Sequence, residues 1–121
     1  MQLIKRSLVL IKAKQPFINW VNRKPFSIPL TPADVNQDCL TILVPDFNTS
    51  AELRAYIAPF KEIWFEIELA TWNQDEQSWP NPRTSALFDE WFDLEIHSMV
   101  WDSAEVPPRR NEIRLAEMRH N

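Results

Sequence analysis

The chain has 121 residues, a formal net charge of −4, six Trp and no Gly. That length suits a single domain able to bury about two-thirds of its unfolded surface, and 45% apolar with 25% charged residues is ordinary for a globular protein. The missing glycine excludes a Walker loop, a dinucleotide-binding fingerprint, a nucleophile elbow and an EF-hand, each of which needs Gly at a fixed place, and the single Cys39 excludes an intramolecular disulfide or a Cys-rich zinc site.

Residues 3–13 read as a strand that is apolar on both faces, with Leu8 and Leu10 alternating with Val9 and Ile11, which predicts a central position in a sheet. Pro16 suits the first turn of a short helix carrying Phe17, Trp20 and Val21 on one side. Residues 24–38 hold three prolines and read as loop, with Thr31-Pro32-Ala33-Asp34 able to cap one helical turn. A second strand spans 39–44 and stops at Pro45.

Thr49-Ser50-Ala51-Glu52 is a capping box, and Leu53, Tyr56, Ile57, Phe60, Trp64 and Ile67 follow at helical spacing. Pro59 predicts a break or strong kink near Ala58. Residues 61–71 also alternate as a strand would, but Glu62, Glu66 and the run of helix formers favour helix. Residues 72–83 form a polar connector with embedded tryptophans, and Asn81-Pro82 reads as the start of a helix over 82–92 that buries Leu87, Phe88, Trp91 and Phe92. A third strand spans 94–101, with Leu94, Ile96, Ser98 and Val100 on one face and Glu95, His97, Met99 and Trp101 on the other.

The order β-α-β-α-α-α-β predicts an α+β fold, a small three-stranded sheet packed against three to four helices. The long connections permit parallel or mixed pairing. One domain over 1–106 is expected, followed by a charged tail over 107–121 with a weak helical pattern at Ile113, Leu115 and Met118, disordered or docked on a partner.

The charge is unevenly spread. Residues 1–33 carry six bases and no acid, and residues 34–105 carry fifteen acids and three bases. Basic and acidic surfaces that meet within the fold or between two copies are expected. The basic stretch lacks interleaved aromatics, which argues against nucleic acid. No secretory signal and no run of 18 apolar residues is visible, so no membrane span is expected, and a reducing cytoplasm is the expected compartment.

The segment Trp79-Pro80, Arg83-Thr84, Trp91-Phe92, His97-Ser98-Met99-Val100 and Asp102 resembles a family of small uncharacterised bacterial proteins with a WP, RT, WF, HSMV and Asp pattern. The resemblance covers roughly residues 40–102. It implies a bacterial protein of similar α+β fold and carries no activity.

Two functional expectations follow. Trp79, Arg83, His97, Met99 and Trp101 form an aromatic-rich contact patch around the last strand, which predicts an interaction or regulatory module that binds a protein partner or itself. Trp72 lies beside the same polar connector, whereas Trp64 and Trp91 sit on apolar helical stripes and read as core. The alternative is a small hydrolase or nuclease-like enzyme. There His97 is the general base, Glu95 or Asp102 orients it and Arg83 clamps an anion. Strand alternation places Asp102 opposite His97 and keeps Ser98 from being activated by it; the other histidine, His120, is in the tail. The acids Glu62, Glu66 and Glu68, and Asp75, Asp89, Glu90 and Asp93, read as solvated helix faces, so neither a metal nor a cofactor is expected.

Overall fold

The computed structural model describes residues 1–25 and 27–113. In chain order the elements are β1 (Gln2–Leu3), β2 (Arg6–Ala13), α1 (Gln15–Val21), α2 (Pro32–Val35), β3 (Leu40–Pro45), α3 (Ser50–Ile57), α4 (Lys61–Trp72), α5 (Ser85–Trp91), β4 (Phe92–His97) and β5 (Trp101–Asp102). Short 3-10 turns lie at Asn36–Asp38, Ala58–Phe60 and Glu76–Ser78. The class is α+β, as the alternation of patterns predicts.

β2 is the central strand of a three-stranded sheet of order β3-β2-β4. Both ladders are antiparallel, which settles the pairing that the connections left open. The cause is local. β3 enters beside the end of β2, with Leu40 opposite Ile11. There the Asn36 carboxamide clasps Ala13, accepting from its N–H at 2.7 Å and donating to its carbonyl at 3.1 Å. A chain returning at the end it left must run antiparallel.

Side chains of β2 alternate. Ser7, Val9, Ile11 and Ala13 are buried under the helices. Phe17, Ile18, Trp20 and Val21 of α1, Ile57 of α3, Trp64, Phe65, Leu69 and Ala70 of α4 and Phe88 of α5 complete the core with Val44 and Phe92. Phe65 is its hub, with ring centroids 6.0 Å from Phe88, 5.4 Å from Trp91 and 5.4 Å from Phe92. Such tilted and edge-on contacts add to the area they bury. Trp91 packs on this core while partly exposed.

The helices start and stop where their caps dictate. The Thr49 hydroxyl accepts from Glu52 N–H at 3.1 Å, and Thr31 with Asp34 forms a reciprocal capping box. Thr31 donors hold the exposed Asp34 carboxyl below its usual range. Pro59 falls in the 3-10 turn that separates α3 from α4, as its missing N–H requires. Residues 61–71 are helical.

Three expectations need correction. The last helix begins at Ser85, because the Thr84 hydroxyl accepts from Leu87 N–H at 3.1 Å and so supplies the cap; Asn81–Pro82 is a cis peptide in the turn before it. Phe92 is extended and pairs with Ala13, so it reaches the core from the sheet. The strands read as 3–13 and 94–101 are each interrupted. β1 pairs with β5 in a separate ribbon, joined by an Ile4 N–H to Val100 carbonyl bond of 2.8 Å. Between the Leu8–His97 and Leu3–Trp101 pairs, four residues (4–7) face three (98–100), an extra residue of the kind that disrupts a ladder.

Without glycine, the long loops are held by side chains. Asn22 brackets Leu30 with two bonds of 2.8 Å. The Trp20 indole donates to the Ser78 carbonyl at 2.9 Å and the Trp79 indole to the Asn73 carbonyl at 2.8 Å. Residues 107–113 form neither helix nor strand and are exposed, and the expected tail helix at Leu115 and Met118, with His120, lies outside the described residues.

Candidate functional site

The strand register defines two faces of the sheet. Opposite the helices, three rows run across it. They are Leu43, Leu8 and His97, then Thr41, Leu10 and Glu95, then Lys12 and Asp93. Leu8, Leu10 and Lys12 are half-buried between neighbouring strands, and the others are exposed, Leu43 at 51%. Among the described residues no helix covers this face. The face is mixed, with three leucines set among polar and charged side chains of the kind an antiparallel sheet ordinarily turns to water.

His97 and Glu95 are two apart on β4 and therefore share this face. His97 Nε2 lies 3.2 Å from Glu95 Oε1, with both side chains about half exposed. Asp102 Oδ1 accepts from Ala104 N–H at 2.8 Å, and it is Glu95 that lies within ion-pair distance of His97. Beyond the strand break, Met99 at 72% and Trp101 at 49% exposure join Leu3 as apolar surface of the β1–β5 ribbon. Residues 104–110 close in at the Arg6–Leu43 end, where with Gln2, Ile4 and Lys5 they wall a groove of about 710 Å³.

Trp79 and Arg83 belong elsewhere. Trp79 is only 7% exposed and is part of the core, so it offers no contact surface. The reason is its indole N–H, which bonds to Asn73 and pulls the connector down onto the helices. Arg83 lies 5.7 Å over the Trp79 ring, donates to the Pro80 carbonyl at 3.2 Å and pairs with Glu66 at 3.2 Å. Its Nε is buried with no hydrogen-bond partner. A guanidinium already matched by a carboxylate makes a poor anion clamp, and it does not stand with His97. The expected patch therefore separates into a buried Trp79 with a half-buried Arg83 over it, and an exposed set, His97, Met99 and Trp101.

The acidic helix faces also differ from a uniform solvated surface. Asp89 pairs with Lys61 at 2.9 Å and Asp93 with Lys14 at 3.3 Å. Glu68 is 8% exposed. Burial pushes its carboxyl up to about 7, against an ordinary 4.5, and a hydrogen bond from the Leu40 backbone N–H offsets part of that rise. The signal for its burial was present, since Glu68 follows Trp64 by four residues and so extends the buried stripe of α4. The signal for the open face was the double alternation of β2, read only as a mark of centrality. Among the described residues, no three His, Cys, Asp or Glu side chains come together to hold a metal ion, and no helix is long and apolar enough to cross a membrane. The chain matches no protein-family model, no curated protein and no solved structure.

Proposed function

We propose that this chain is an interaction module that self-associates through the uncovered face of its sheet. The observation that carries the reading is the one-sided placement of the helices, which among the described residues leaves Leu8, Leu10 and Leu43 with no helix over them. Two such faces pack about 10 Å apart with side chains interleaved, and removing three leucines per copy from water favours the pair.

A second copy fits this face because the patch carries both signs of charge. Lys12 on β2 stands opposite Asp93 on β4, Glu95 lies one row along opposite Leu10, and Arg6 lies at the other end of the same face opposite Pro45. A two-fold interface uses the same patch twice, so it must be self-complementary, and a mixed patch satisfies that where a single-sign patch repels itself. Met99 and Trp101 extend the contact at the ribbon end, and tryptophan is among the residues that dominate binding energy.

Sedimentation velocity across a micromolar concentration range tests the reading. A concentration-dependent dimer is expected, lost in Leu43→Glu and weakened in Trp101→Ala, with both variants folded by circular dichroism. A chain that sediments as a monomer throughout, or a dimer indifferent to Leu43→Glu, refutes it.

A further inference from the structure

A second feature lies at the β3 edge of the sheet, where it meets α4. Between the entry to β3 and the last turns of α4 is a pocket of about 280 Å³. Its walls carry Asp38, Cys39 and Thr41 on one side and Glu68, Thr71 and Trp72 on the other. Two of these side chains are acids and none of the lining residues is a base.

We infer that this pocket binds a small primary ammonium ligand, with the charged head on the Glu68 carboxylate and the alkyl part against Trp72.

Three observations converge on that class. First, Glu68 is nine-tenths buried, and among the described residues no Lys, Arg or His pairs with it. Its side chain lines the pocket, and the Leu40 N–H bond uses only part of the carboxylate's acceptor capacity. A buried carboxylate without a cation is costly, and a bound cation removes that cost.

Second, the hydroxyl hydrogens at the pocket are already used. Thr71 Oγ1 donates to the Ile67 carbonyl at 2.8 Å and Thr41 Oγ1 to the Cys39 carbonyl at 3.2 Å. What these groups still present is lone pairs, so the pocket offers acceptors to a ligand rich in donors. An ammonium has three donors. Third, the aromatic wall of Trp72 suits both a cation and its attached methylenes. A bare divalent ion fits less well, because it asks for six or more oxygen ligands and no cluster of metal-ligating side chains forms here among the described residues. The volume lies just below the lower end of the range for drug-sized sites, which suits a small ligand.

The ionisable groups around Glu68 are Asp38 and Cys39 before β3, and Lys24, whose Nζ is engaged with the Trp72 carbonyl at 3.0 Å. With Glu68 taking up its proton near pH 7, the ammonium competes with that proton, and affinity rises as pH rises.

The test is a titration of the full chain with propylammonium chloride, followed by amide and indole NMR shifts, with 1-propanol as the neutral control. Saturable shifts confined to residues 38–41 and 67–72 are expected at about pH 8, with affinity about tenfold weaker at about pH 6, the fold-change that follows from ionising one carboxyl near pH 7. Glu68→Gln keeps the shape and the Leu40 bond, and it should abolish the saturable shift. If that variant does not fold, the exposed Asp38→Asn decides, with a severalfold loss of affinity expected. Absence of a saturable shift at the higher pH, an equal response to 1-propanol, or unchanged affinity in the deciding variant overturns the assignment.

Discussion

The two faces of β2 are built from nearly the same residues and end in opposite environments. Val9 and Ile11 are sealed under Phe17, Phe65 and Phe88, while Leu8 and Leu10, one position along, look out between strands onto solvent. Hydrophobicity alone therefore does not decide burial in this chain. What decides it is that α1, α3, α4 and α5 all return to one side of the sheet. The apolar residues on the other side are surplus to folding, and a surplus of that kind is what a second molecule can use.

The largest effect that sharpens the contrast is on the covered side. Phe65→Ala should cost about 3–5 kcal/mol in denaturant unfolding, since the ring is fully buried at the hub of the aromatic core. Leu10→Ala, on the open side, should cost about 1 kcal/mol or less, because a half-exposed side chain leaves no closed cavity. Equal losses at the two positions would show that the outer face is covered.

Glu68 gives the next largest effect and a pH signature. Its folded value of about 7 lies above the unfolded 4.5, so the folded state holds the proton more tightly. Stability from this group is fully present below about pH 4.5 and is lost as pH rises through about 7, to a total of about 3 kcal/mol. Glu68→Gln should therefore match the native chain in acid and exceed it by up to about 3 kcal/mol at about pH 8, read from urea midpoints across pH. A flat difference across that range would mean that the carboxyl is solvated.

Thr84→Ala should cost about 1 kcal/mol by removing the cap on Leu87 N–H, and it distinguishes the observed start of α5 from one at Pro82. Smallest of all, Leu43→Glu should leave the thermal midpoint of the isolated chain within the equivalent of about 0.5 kcal/mol while abolishing the dimer.

Much of the fold was legible in the sequence, because local chemistry enforces it. The caps at Thr31 and Thr49, the break at Pro59 and the central place of β2 depend on residues a few positions apart. The rest depends on distant partners. Nothing in residues 98–100 announces that they face four residues of the first strand, so the interruption between β4 and β5 could not be read. Trp79 looks like loop surface until the Asn73 carbonyl captures its indole. Arg83 looks available until Glu66, seventeen positions earlier, is seen beside it. Of the residues expected at the contact patch, His97 is exposed because strand alternation turns it to the open face of the sheet, and Met99 and Trp101 are exposed beyond the end of β4.

The strand order also bears on how the chain is made. β2 is synthesised before both of its sheet partners, and β4 lies at 92–97, so the pair that centres the sheet joins segments about eighty residues apart. Closing so long a loop has to precede the contacts that reward it, which slows folding. On the ribosome, β2 and β3 can pair early, while Val9 and Ile11 wait for α4 and α5, and the β4 side of β2 stays an unpaired edge until residues 92–97 have emerged. Until then a nascent chain of this protein carries the kind of open apolar edge that chaperones bind and that seeds aggregation.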